Sequence, residues 1–355
     1  MNPTLKRMLA RAGLALAGIV LPLLLAEGVF RLLPAPLHAD ITFNAPSNSL
    51  MGLYEADREL IHRPSPGFEG TVRSLGYEVP IRVNSHGLRG AEPGPRTGER
   101  WLATGDSFTF AAQVVEEDSF VGLLNSPQRQ VLHGGADGWG SWQALHQYKR
   151  LDEELELDGL LVVFFLGNDL HDNAHYRIEV GKPRRAEVGP IEKPSWLRRN
   201  SLLWARWRMR MRAEELKAPD NPERQRWANE LSIFMQEDKG LRQALLTQTD
   251  AALRALKKET RQRGDRLLVA IAPPAFEVQP ERVAPTFELV GLDPSATAVD
   301  APAEEVRALL RRLDIDACDL VEPLKASPEG AYFEYDGHWT PGGHAVVADT
   351  ITGCF

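Results

Sequence analysis

Four short stretches, far apart in the chain, carry residue types that suit nucleophilic chemistry. In WLATGDSFTFA (101–111) an apolar run stops at Gly105, and Asp106 and Ser107 follow at a tight corner. A serine hydroxyl attacks poorly unless a base takes its proton and donors receive the charge developing on the carbonyl oxygen. GGADGWGSWQ puts Gly138 in a turn whose backbone N–H can face a bound oxygen, and LGND puts the amide donor Asn168 beside Asp169. EYDGHWTPGGHAVVAD places Asp336 two residues before His338. In an extended segment such residues point the same way, so the acid can orient the imidazole and the imidazole can serve Ser107 as general base.

Each of these residues also has a plain structural reading. Ser107 can cap a helix after a strand, and Asn168 can tie down its own turn. Asp106 and Asp169 read as scaffold hydrogen-bonding groups rather than reactants. His171 and His175 have the spacing of a helical metal pair, but no glutamate stands beside the first and no third ligand is near. Neither a metal nor a cofactor is expected. His344 reads as a packed residue of the last helix, and His133 as a hydrogen-bonded histidine at a strand end.

Those loops need elements to hold them. Apolar runs at 101–104, 129–134, 159–167 and 266–274, with a weaker one at 313–321, read as five strands. Helical patterns fall between them at 141–155, 240–264 and 301–313. Near-continuous apolar strands separated by helices predict an α/β fold whose parallel sheet is covered on both faces. Ligands in such sheets bind at the carboxyl ends of the strands, where the Gly105-Asp106-Ser107 corner lies. Thr340 and Pro341 mark a helix start directly after His338.

At these residues the sequence resembles the SGNH/GDSL hydrolase superfamily, over roughly 99–352. The carrying blocks are Gly105-Asp106-Ser107, Gly138, Gly167-Asn168-Asp169, and Asp336 with His338. The resemblance implies a flavodoxin-like three-layer sandwich of about five parallel strands. It implies Ser107 as nucleophile, His338 as base and Asp336 as its partner, with oxyanion donors at the Ser107 and Gly138 N–H groups and the Asn168 amide. The implied chemistry is acyl transfer from an ester to water or to another hydroxyl. Three departures stand out: Leu166 replaces the usual first glycine of the third block, His133-Gly134 replaces an asparagine, and the acid and histidine are two apart rather than three. The last resembles members that modify extracellular polysaccharides.

The remainder bears on location. Lys6, Arg7 and Arg11 precede AGLALAGIVLPLLLA, so residues 1–33 form either a cleaved signal, best cut near Leu37-His38-Ala39, or an uncleaved anchor. From about Leu9 to Leu33 the segment is long enough for a bilayer of ~30 Å. On both readings the basic end stays inside and the rest is exported. Residues 34–98, rich in Pro and Gly, read as a β-rich preamble of two or three strands packed on the domain at 99–355. An insertion at about 175–238 carries Arg198, Arg199, Arg206, Arg208, Arg210 and Arg212 among Trp196, Trp204 and Trp207. It reads as a packed helix, a cap over the site, a glycan surface or an interfacial helix.

A formal charge of −8 argues against general nucleic-acid binding. Cys318 and Cys354 exclude a disulfide-dense scaffold and a cysteine-built zinc site, and leave open one bridge or two buried thiols. Three functions follow from the sequence: an exported serine esterase acting on a glycan, lipid or small ester; an O-acyltransferase using the same residues; and a non-catalytic glycan-binding or export-complex module.

Overall fold

Along the strand Gly159–Phe165 the side chains divide by parity, and both halves are buried. Leu160, Val162 and Phe164 join one apolar cluster with Leu102, Val269 and Ile271; Leu161 and Val163 join another with Trp101, Ala103, Leu268 and Ala270. A strand buried on both sides lies inside a sheet that helices cover on both faces. Each fully buried Leu, Val, Ile or Phe contributes about 1.5–3 kcal/mol relative to exposure, so this sheet is a rigid base for the loops at its edge.

The computed structural model describes residues 3–32, 52–74, 77–182, 201–327, 330–334 and 336–355. Its strands are β1 (Tyr54–Asp57), β2 (Ile61–Pro64), β3 (Glu69–Ser74), β4 (Tyr77–Arg82), β5 (Glu99–Thr104), β6 (Arg129–His133), β7 (Gly159–Phe165), β8 (Arg266–Ala272) and β9 (Asp316–Asp319). The last five form a parallel sheet ordered β6-β5-β7-β8-β9. Numbered within the sheet this is 2-1-3-4-5, the flavodoxin-like order, which reverses direction between β5 and β7. The helices Ser141–Leu155, Lys239–Arg263 and Ala301–Leu313 cover one face, and Pro341–Thr352 covers the other.

The five expected strands and three expected helices are present with small changes at their ends. β8 stops at Ala272 because Pro273 and Pro274 have no N–H to continue the ladder. β9 starts only at Asp316 because the preceding helix runs to Leu313 and closes on Asp314 in the left-handed region.

The preamble has four strands in two antiparallel hairpins, more than expected. The first hairpin has no apolar alternation to announce it. Its turn is made by Asp57, whose carboxylate accepts the N–H groups of Glu59 and Leu60. In the second, Val72, Val79 and Ile81 pack with Phe110 and Ala112, just beyond the Ser107 corner.

The N-terminal helix Pro3–Leu32 is long and apolar enough over Thr4–Leu32 to cross a membrane, a property that signal sequences share. Near its end, Glu27 accepts bonds from Ser201 Oγ and the N–H groups of Leu202 and Leu203, where the helix Leu202–Leu216 begins. That helix carries Arg206, Arg208, Arg210, Arg212, Trp204 and Trp207. Trp196, Arg198, Arg199 and the Leu37-His38-Ala39 cleavage candidate lie outside the described residues. Cys318 and Cys354 are joined in a disulfide, which settles the alternative left open by the sequence.

Candidate active site

The β5 strand delivers Ser107 through Gly105, where a Cβ would lie 2.5 Å from Thr109 Oγ1 and 2.6 Å from the Val163 carbonyl oxygen. No larger residue fits that corner. Ser107 then opens the short helix Ser107–Phe110, but it is not the cap expected of a serine there. Asp106 caps the helix, its carboxylate accepting the Phe108 N–H at 2.9 Å. This leaves the Ser107 hydroxyl free of the backbone, and Ser107 is partly exposed between buried neighbours.

His338 Nε2 lies 2.7 Å from Ser107 Oγ. On its other side His338 Nδ1 meets Asp336 Oδ1, which also accepts the His338 backbone N–H at 3.2 Å. A carboxylate at Nδ1 keeps the proton there, so the Nε2 lone pair faces the hydroxyl. Burial alone would lower the His338 pKa, but the charge and hydrogen bond of Asp336 raise it above the ordinary histidine value. Burial pushes Asp336 upward, and the His338 charge together with hydrogen bonds from His338 and Tyr77 outweighs it, so its pKa is lowered. The loop is held in place by Thr340, which caps the helix Pro341–Thr352 through Gly343 N–H.

Gly138 and Asn168 line the same cavity of about 320 Å³ as Ser107, Asp336 and His338. Gly138 sits at φ +69, a left-handed conformation that favours glycine. Among the described residues, neither the Ser107 nor the Gly138 backbone N–H bonds another protein group. Asn168 occupies the cap position of the helix Asp169–Glu179, yet its side chain makes no capping bond. The turn-tying role open to Asn168 is therefore not the one it plays.

Asp106 and Asp169 behave as scaffold. Asp169 Oδ2 accepts the Phe165 N–H at 3.1 Å, and both acids are buried. Burial raises the Asp106 pKa to about 7 and that of Asp169 well above the carboxylate range. The departures from the family pattern are absorbed nearby: Leu166 is a core residue, and His133 Nε2 bonds the Thr109 carbonyl. Burial and the neighbouring Arg89 lower His133 to about 3, so it is neutral and donates that bond. His344 packs, its Nδ1 accepting the Phe120 N–H. His171 and His175 stand with ring centroids 6.3 Å apart, and the described residues contain no cluster of three or more His, Cys, Asp or Glu suited to a metal.

Sequence reasoning missed the preamble's part in the site. Tyr77 donates to Asp336 Oδ2 at 2.7 Å, and His62 Nε2 bonds the Asp137 carbonyl at 2.7 Å, next to Gly138. No spacing rule links residues 259 positions apart. It also missed Trp227 and Leu231, which bring the insertion's helix Pro222–Leu231 to the cavity wall. Of the readings open for the insertion, a wall over the site fits this later helix rather than the arginine-rich one.

Residues 227–354 match the family model described as an SGNH hydrolase-like domain, acetyltransferase AlgX. That span includes Asp336 and His338 but not Ser107, Gly138 or Asn168, and over it the resemblance to SGNH/GDSL hydrolases read from the sequence is borne out. No curated protein matches the chain. Solved structures similar to it include a member of the lipolytic protein G-D-S-L family from Veillonella parvula DSM 2008, with 10% identity, 73% of this chain and 98% of that one covered, and a TM-score of 0.40. A GDSL-like lipase from Bacteroides thetaiotaomicron VPI-5482 shows 10% identity, coverage of 74% and 90%, and a TM-score of 0.38. A catalytic mutant of Axe2, an acetylxylan esterase from Geobacillus stearothermophilus, shows 11% identity, coverage of 73% and 94%, and a TM-score of 0.38. At these TM-scores the likenesses bear on neither substrate nor reaction.

Proposed function

We propose that the chain, which matches an SGNH hydrolase-like domain over residues 227–354, is an exported, membrane-anchored serine esterase. It removes O-acetyl or similar acyl groups from a cell-surface or extracellular glycan or lipid. The observation that carries this reading is the 2.7 Å contact between Ser107 Oγ and His338 Nε2, with Asp336 behind the imidazole.

In this reading His338 Nε2 takes the Ser107 proton as Oγ bonds the acyl carbon. The carbonyl oxygen becomes an oxyanion facing the N–H groups of Ser107 and Gly138 and the Asn168 amide. His338 then returns the proton to the departing alcohol, leaving acyl-Ser107. A second hydroxyl, activated by the same imidazole, attacks the acyl carbon and releases Ser107. Water in that role gives a carboxylic acid.

Export is supported by the apolar N-terminal helix with its basic start, and by the disulfide, which persists in oxidising compartments. Residues 1–33 then serve as anchor, 34–98 as preamble and 99–355 as catalytic domain. No cofactor and no nucleic acid enters this reading.

A second reading replaces water by a sugar hydroxyl, giving a polysaccharide O-acyltransferase. The description of the matching family as an acetyltransferase favours it. Incubation with a labelled acetyl ester, with and without an acetyl-free oligosaccharide, separates the two. Hydrolysis at full rate without acceptor supports the esterase, and acceptor-dependent label on the sugar supports the transferase. Equal turnover by wild type and Ser107→Ala sinks both. Glycan binding without any serine labelling by a fluorophosphonate would leave a binding module.

A further inference from the structure

Asp336 is 5% exposed, and its two oxygens are held by different parts of the chain. Oδ1 faces His338, through both the ring Nδ1 and the backbone N–H. Oδ2 accepts the Tyr77 hydroxyl at 2.7 Å, and Tyr77 is the first residue of β4, in the preamble. Tyr77 is itself held. Its ring lies 5.3 Å from that of Phe333 on the loop leading to Asp336, and the hairpin beneath it is pinned by Val72, Val79 and Ile81 against Phe110. Phe110 ends the short helix that Ser107 begins. One hairpin thus touches both the segment carrying the hydroxyl and the carboxylate behind the imidazole.

We propose that Tyr77 is a positioning residue for Asp336, so that the preamble is part of the active site rather than a separable neighbour. The inference rests on the triad reading for its kinetic effect, but the hydrogen bond can be tested without it. A buried carboxylate oxygen left without a partner costs free energy, and a separate partner on each oxygen fixes the orientation of the group. Without the phenol, Oδ2 is a buried charge with no partner, and the carboxylate turns to find one. The imidazole then loses the fixed tautomer that leaves Nε2 open to Ser107.

The test uses the full chain in detergent with 15N-labelled histidine, comparing wild type, Tyr77→Phe and Leu309→Ala. Tyr77→Phe keeps the ring and removes the hydroxyl, whereas Leu309→Ala loosens the core around the helix Ala301–Leu313, away from the hairpin, and keeps the hydroxyl. The charged or titrating groups facing His338 are Asp336, Asp106 and Asp137, with His344 behind. All remain in both variants. Once the carboxylate turns away, the imidazole feels less of its charge, so the His338 titration midpoint should fall in Tyr77→Phe and match wild type in Leu309→Ala. On an aryl ester, kcat should fall roughly ten- to a hundredfold in Tyr77→Phe with KM unchanged.

A Tyr77→Phe midpoint that equals or exceeds that of wild type, or an equal shift in Leu309→Ala, overturns the inference. The two readings fail separately. If Ser107→Ala is inert while Tyr77→Phe matches wild type in rate and titration, the positioning role fails and the esterase stands. If wild type shows no ester turnover but Tyr77→Phe still moves His338, the esterase fails and the positioning role stands.

Discussion

Ser107 Oγ and His338 Nε2 stand 2.7 Å apart although 231 residues separate them. The parallel sheet makes this meeting possible. It ends β5 beside the loop that follows the last crossover, and the Asp106 cap leaves the serine hydroxyl unengaged by its own helix. Replacing Ser107 by Ala should lower kcat about 10⁴-fold or more on a short-chain aryl ester, with the fold retained. Fluorophosphonate labelling, mapped to the peptide that contains Ser107, should vanish in the same variant. Labelling that persists elsewhere in the cavity would move the nucleophile to another residue.

The pH dependence follows from the raised His338 pKa. A general base works only when neutral, so kcat/KM should decline as pH falls through a midpoint above the ordinary histidine value. Asp336→Asn removes the charge that lifts it. The acid limb should then move to lower pH, while kcat falls by about 10⁴ because the imidazole loses its fixed tautomer. A wild-type limb below the ordinary histidine value, or one unmoved by Asp336→Asn, would contradict the assignment.

Asn168 tests the oxyanion donors. Its side chain makes no bond to its own helix, so Asn168→Ala costs the scaffold no capping interaction. The expected result is a loss of about 10²–10³ in kcat with little change in KM or in thermal midpoint, the pattern of a donor used only in the transition state. A fall in stability with unchanged kcat per folded molecule would return Asn168 to a scaffold role.

How much of this was readable in the sequence depends on the range of the interaction. The core strands announced themselves because residues such as Leu160–Phe164 are apolar at every position, a pattern that only a doubly covered strand needs. The loops after them were readable because Gly105, Ser107 and Asn168 sit at fixed offsets from strand ends. The Tyr54–Asp57 hairpin was not, since it rests on the Asp57 turn rather than on alternation. Neither was the capping role of Asp106: Asp and Ser are equally good caps, and only geometry decides between adjacent ones. The Tyr77–Asp336 bond joins hairpin and loop purely through the tertiary fold.

Asp106 supplies a stability prediction. Burial holds its pKa near 7, far above its value in an unfolded chain. A folded-state pKa that is raised means the folded chain keeps a proton the unfolded chain has lost. This contribution is complete at low pH and is lost as pH rises toward about 7. Asp106→Asn keeps the cap to Phe108 and removes the ionisation. Its thermal midpoint relative to wild type should be higher at pH 8 than at pH 5. An equal difference at both values would mean that Asp106 does not titrate in this range.

The disulfide links β9, the last strand of the sheet, to the residues just past the helix Pro341–Thr352. That helix begins directly after His338, so the bridge ties the far end of the element that carries the base. A closed loop spanning a sequence separation of 36 restricts the unfolded chain enough to stabilise the fold by roughly 4 kcal/mol in the chain-entropy model, an upper figure for a real bridge. Cys318 is fully buried and Cys354 partly exposed, which makes Cys354→Ser the milder way to remove it. The variant should melt several degrees lower than oxidised wild type and be indifferent to reductant, while reductant should bring wild type down to it. A wild type whose midpoint ignores reductant, with both thiols open to alkylation in the folded state, would show that the pair is not bridged.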